Sequence, residues 1–149
     1  MELPELNDNG DLPVGIHRAS LSQALARFGW RNRRRRELGR RLKHIYSLAA
    51  STGHLGRFII FGSFITSKDE PGDIDIFMIM NDSFEVEKVS SKTRGIFDHM
   101  TAHNYEGASI FWLRRAAALG GEGATVEHWQ IKRDGSRRGI VEVVDHDQE

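Results

Sequence analysis

Apolar residues recur along the chain in two rhythms, and the switches between them mark out its elements. Over residues 32–50, Leu38, Leu42, Ile45 and Ala49 fall at i, i+4, i+7 and i+11, one stripe of a long helix, with arginines on its other faces. Before it, Ser20 and Gln23 have the spacing of a capping box, which predicts a short helix over 21–28 that stops at Gly29. Residues 57–61, Arg-Phe-Ile-Ile-Phe, are continuous and β-favouring, as expected of a buried strand, and Gly62-Ser63 breaks them. The turn Glu70-Pro71-Gly72 leads into a second strand over 73–80.

Asp82 with Glu85 repeats the capping spacing, and Val86, Val89, Ile96, Phe97 and Met100 predict a helix of about five turns. A third strand is expected over 109–113, followed by a mobile loop at Gly120-Gly121-Glu122-Gly123. Two further strands, 125–132 and 138–144, flank Asp134-Gly135, a hairpin signal. The opening, with Pro4, Pro13 and Asn-Asp-Asn-Gly at 7–10, reads as an extended arm without helix. The expected architecture is a single α+β domain over 1–149. It has an arm (1–18), a helical part (19–50) and a core (57–144) whose mixed sheet of about five strands carries helices packed on it.

At 149 residues, 39% hydrophobic and 28% charged, the chain is long enough for one core and too apolar for a disordered tail. Its strongest apolar runs, 58–61 and 74–80, fall far short of the ~20 residues of a membrane helix, and the acidic opening from Met1 to Glu5 carries no secretory signal. Cysteine is absent, which excludes disulfides, thiolate nucleophiles and cysteine-containing zinc sites, and the cytoplasm is the expected compartment.

The 21 basic and 21 acidic residues cancel but are unevenly spread. Arg31, Arg33, Arg34, Arg35, Arg36, Arg40, Arg41 and Lys43 face a single acid, Glu37, in that stretch. Glu2, Glu5, Asp8 and Asp11 lie near the start, and Glu142, Asp145, Asp147 and Glu149 near the end. A basic segment between acidic ends suits either an anionic partner, RNA or an acidic protein surface, or internal pairing. A solvated helix face is the simpler reading of such a run, and no interleaved aromatics support base stacking there.

The chemistry concentrates between Phe58 and Asp75. Side chains two apart on a strand share a face, so Asp73 and Asp75 project together, about 6–7 Å apart. Phe77 and Ile79 continue that face as apolar residues, which puts both carboxylates at one end of a buried strand. Two like charges at that range repel by roughly 2–3 kcal/mol at an effective dielectric near 20, and a divalent cation with oxygen ligands, such as magnesium, removes the repulsion. Gly62 permits close backbone approach, and Ser63 offers an N–H and a hydroxyl suited to phosphate.

Gly62-Ser63 after a hydrophobic strand, with Asp73-x-Asp75 opening the next, resembles the signature of DNA polymerase β-like nucleotidyltransferases, including the minimal ones of prokaryotic toxin–antitoxin and defence systems. The wider pattern Gly62-Ser63-Phe64-x-Thr66-x-Lys68-x-Glu70-Pro71-x-Asp73-x-Asp75 is similar to a small prokaryotic branch of that superfamily. The resemblance implies that Gly62 and Ser63 bind the triphosphate of a nucleoside triphosphate and that Asp73 and Asp75 are catalytic ligands of two magnesium ions. It further implies transfer of a nucleoside monophosphate to a macromolecular acceptor, RNA or a partner protein. Lys68, between the motifs, is placed to add a phosphate contact.

Active members carry a third carboxylate on a neighbouring strand. Here that strand, 107–113, has no acid, and Ser109 takes the slot. Glu106, Glu127 and Glu142 are the possible substitutes. The alternative to an enzyme is therefore a catalytically degenerate nucleotidyltransferase fold acting as an antitoxin-like or nucleotide- or protein-binding module. His99 and His103, at i and i+4, lack a third ligand and suit a helix surface, and Phe111, Trp112 and Trp129 read as core or strand-pair residues.

Overall fold

The computed structural model describes residues 2–147, so Glu149, counted above in the acidic ends, lies outside them. A five-stranded sheet is built from β1 (Ile16–Ala19), β2 (Leu55–Phe61), β3 (Ile74–Met80), β4 (Ala108–Arg114) and β5 (Ile140–Val143), in the spatial order β1-β5-β2-β3-β4. β1 runs parallel to β5 and β3 to β4, while β2 is antiparallel to both β3 and β5. The helices are α1 (Leu21–Phe28), α2 (Arg33–Ser51), α3 (Ser91–Arg94), α4 (His99–Glu106) and α5 (Glu122–His128). This is an α+β fold with an open mixed sheet, and among the described residues no helix is long and apolar enough to cross a membrane.

Alternation along the strands sorts side chains between two unequal cores. Phe58, Ile60, Ile74, Ile76, Met78, Ile110 and Val143 face the larger one, with Leu38, Leu42, Ile45 and Ala49 of α2 and Phe28 of α1. The opposite face buries Ile59, Phe77, Ile79 and Ile140 under Val126 of α5, with Phe61 and Trp129 packed alongside. Asp75 and Ser109 belong to this second, more thinly covered face, which is why a polar group can sit in an otherwise buried strand.

The capping box at α1 forms as expected: the Gln23 amide donates to Ser20 Oγ at 3.1 Å, and the Ser20 amide to Gln23 Oε1 at 2.8 Å. Three expectations are corrected. The helix expected from Asp82 onwards is broken into short 3₁₀ turns, α3 and α4. Ser90 and Asp98 cap new starts within it, while Asp82 instead accepts from the Ala116 amide at 2.7 Å. Residues 125–132 do not form a strand. Most of them lie in or beside α5, which begins already inside the expected glycine loop, after Gly121 at φ +98°. The Asp134-Gly135 turn does form, but its arms share only the single bridge Ile131–Arg137. The fifth strand is β1, drawn from the end of the arm, where Ile16 and Ala19 pair with Ile140 and Val143 of β5.

Candidate functional site

β2 ends at Phe61, opposite Asp75 on β3, and Asp75 in turn lies opposite Ser109 on β4. Gly62 then turns the chain with φ +81° and ψ −165°, a conformation open to glycine, and a Cβ there would fall on the Asp75 carboxylate. Ser63 begins a single 3₁₀ turn, and Thr66 donates back to the Ser63 carbonyl at 2.7 Å. Gly62→Ala is therefore expected to cost about 2 kcal/mol in urea denaturation. A loss under about 0.5 kcal/mol would mean that the turn tolerates an ordinary residue.

Asp73, one residue before β3, accepts a hydrogen bond from Ser109 Oγ at 3.0 Å. Burial, and after it the neighbouring Asp73 charge, push the Asp75 carboxyl up to about 6, while Arg138 and Arg133 pull it back. Neither carboxylate takes part in an ion pair among the described residues. Together they line a cleft of about 640 Å³ with Gly62, Ser63, Lys68 and Ser109. The structure thus brings the five expected site residues to one place.

The opposite wall comes from the turn at 131–138 and was not anticipated from the sequence. Lys132, Arg133 and Arg138 line the cleft there, and two of them are anchored by Asp11 of the arm. Asp11 is buried, 2.7 Å from Lys132 Nζ and 3.6 Å from Arg138 Nη1. The same arm reaches the first wall, since the Ser67 amide donates to the Gly10 carbonyl at 2.9 Å. The arm is a strap across both sides of the cleft.

The arginine run has a structural role at this site. Arg35, expected on an exposed face, is 2% exposed and donates to the carbonyls of Phe28, Phe64, Thr66 and Lys68. It extends the buried stripe of α2 one turn towards the N-terminus, because it lies three residues before Leu38. Arg31 donates to the carbonyls of Ser67 and Lys68, and Arg34 to those of Pro71 and Gly72. These cations hold the segment between the Gly-Ser and Asp-x-Asp motifs, leaving Arg33, Arg36, Arg40 and Lys43 as exposed charges of the run that do not touch it.

None of the substitute acids considered from the sequence lines the cleft. Glu142 is held by Arg57 at 2.7 and 2.9 Å, Glu127 lies beside Arg137, and Glu106 is 3.6 Å from His44. The third carboxylate on the cleft wall is Asp134, held below its usual range by hydrogen bonds from the Ser136 side chain and backbone, which makes it a weak base. Among the described residues no three His, Cys, Asp or Glu side chains converge. The donors offered to a cation are thus Asp73 and Asp75, with the Ser109 hydroxyl beside them. Such an all-oxygen set, carrying two unneutralised charges, suits magnesium.

Comparison with known proteins gave no match among the curated proteins. It gave none among the solved structures either. Residues 4–144, which include both walls of the cleft and the strap, match the family described as "Family of unknown function (DUF6932)". The chain is a member of that family.

Proposed function

We propose that the chain is a magnesium-dependent nucleotidyltransferase of the DNA polymerase β-like kind, moving a nucleoside monophosphate from a nucleoside triphosphate to a macromolecular acceptor, RNA or protein. The observation that carries this reading is the carboxylate pair Asp73 and Asp75, set without cationic partners against the Gly62 turn and facing a wall of lysine and arginine. The spacing Gly62-Ser63 … Asp73-x-Asp75 supports it. A toxin–antitoxin or defence setting, with the chain acting in the cytoplasm, accords with that resemblance.

In the proposed reaction an acceptor oxygen attacks the α-phosphorus, the bond to the β-phosphate oxygen breaks, pyrophosphate leaves and the acceptor proton passes to water. Asp73 and Asp75 would hold the magnesium ions, which supply charge neutralisation for the phosphates and for the departing pyrophosphate. Lys68 and Lys132 would bind the triphosphate oxygens, while Gly62 and the Ser63 amide allow the phosphate to approach the backbone.

One observation favours a second reading, a degenerate nucleotidyltransferase fold that binds a nucleotide or a protein without catalysis. In the slot of the third carboxylate stands Ser109, bonded to Asp73, and a hydroxyl is no base at neutral pH. Thermal unfolding with each nucleoside triphosphate, with and without magnesium, tests the nucleotide site before any acceptor is known. Ligand at about 100 times its dissociation constant adds ~2.7 kcal/mol, a rise of several degrees in a domain of this size. The expected result is a magnesium-dependent rise that Asp75→Ala abolishes. No rise with any nucleotide would refute the site, and transfer of a labelled nucleotide by the wild type but not by Asp75→Ala would exclude the degenerate reading.

A further inference from the structure

On the face that carries Asp75, a ribbon of aromatic rings leads away from the cleft. Phe61, which lines the cleft, packs on Trp129 with centroids 4.6 Å apart and planes 37° apart. Trp129 meets Phe111 at 5.2 Å and 31°, and Phe111 meets His99 at 5.0 Å and 34°. β4 is the outermost strand on that side of the sheet, so the ribbon ends at an open edge. Phe111 is 40% exposed and His99 is exposed, whereas Phe77 beneath Trp129 is buried.

The small core of this face is thus closed by Phe77 and Trp129, and packing does not account for the two rings beyond them. Phe111 stands two residues after Ser109 on the same strand face, one step from the carboxylates. Across the cleft lie Lys132, Arg133 and Arg138. A partly exposed aromatic ring at the end of such a ribbon, beside a group of cations, supplies the two parts of a site for single-stranded nucleic acid. Bases stack on the rings, and the phosphates meet the cations without a sequence code.

We propose that this ribbon binds unpaired nucleobases of single-stranded nucleic acid, with a base stacked on Phe111 and the adjoining phosphates held by Arg133 and Arg138. Phe111 lies beyond the lining of the nucleotide cleft while the two arginines stand on its wall, and the binding does not depend on transfer chemistry. If the nucleotidyltransferase reading also holds, the strand held here is the acceptor, which selects nucleic acid over protein.

The test is fluorescence anisotropy with fluorescein-labelled adenine and uracil dodecamers, as RNA and as DNA, in EDTA without nucleotide. Failure here therefore leaves the magnesium–nucleotide result untouched. The wild type is expected to bind the single strands, with affinity falling steeply as salt rises. Phe111→Ala is expected to weaken binding about tenfold or more, since stacking on one ring carries that much. Phe111→Leu keeps apolar bulk but no π face, so it should lose as much while the melting temperature stays near that of the wild type. A duplex of the same length, with its bases already stacked, should bind at least about tenfold more weakly. Wild-type affinity in Phe111→Leu would overturn the proposal, as would equal affinity for the duplex. So would equal binding of labelled poly-glutamate, which would make the surface a site for acidic protein.

Discussion

Replacing Arg35 by methionine is expected to destabilise the protein by about 4 kcal/mol, among the largest effects of any single change outside the hydrophobic core. Arg35 is 2% exposed, and its guanidinium serves carbonyls on two separate segments, Phe28 at the end of α1 and Phe64, Thr66 and Lys68 in the site loop. Burial, and then the nearby Arg31, lower its pKa to about 10, so it remains charged at neutral pH. Methionine fills much the same volume but offers no donor, and each buried carbonyl left without a partner costs about 1–3 kcal/mol, reduced where water enters. The urea midpoint should fall accordingly. Arg36→Ala on the same helix, whose exposed side chain reaches only the Trp30 carbonyl, should cost under about 1 kcal/mol. Equal losses in the two variants would refute the clamp.

Asp75→Asn is expected to stabilise the metal-free protein at pH 7 while destroying its response to magnesium and nucleotide. The carboxyl is raised from 3.8 to about 6 by burial and by Asp73, so the folded state holds its proton more tightly than the unfolded state does. As pH rises from about 4 to about 6, the unfolded chain gives up that proton first, and the Asp75 contribution to stability falls by up to about 3 kcal/mol. Above about 6 the penalty is complete and constant. Asparagine carries no charge, so the variant should exceed the wild type in unfolding free energy at pH 7 and converge with it near pH 4. An unchanged difference across that range would show that Asp75 is not held at a cost to the fold.

Reading the sequence succeeded where a signal was local. The Ser20–Gln23 box needs only four residues, and the α2 stripe and the alternation of β3 are each contained in one element. The carboxylate pair was legible for the same reason, since the two-residue repeat of a strand is enough to place Asp73 and Asp75 together. Arg35 was misplaced because an arginine within an arginine run looks like surface, and its burial depends on carbonyls some thirty positions away. The apparent strand at 125–132 has β-favouring Thr125, Val126 and Trp129, but docking of Val126 and Trp129 onto the thin face of the sheet outweighs that preference. The cationic wall carried no local sign at all. Lys132 and Arg138 flank an ordinary turn, and Asp11, which orients them, lies at the other end of the chain.

The strap also sets an order of events during synthesis. α1, α2, β2 and β3 with their arginine clamp involve only residues 21–80, so the carboxylate half of the cleft is assembled from neighbours soon after they leave the ribosome. The cationic half waits on partners far along the chain, such as the Gly15 amide and Gln130, 115 positions apart, and the pairing of β1 with β5. Until residues 131–143 have been made, Asp73 and Asp75 therefore face no wall, and a nascent chain completes its cleft only after β5 is available to pair.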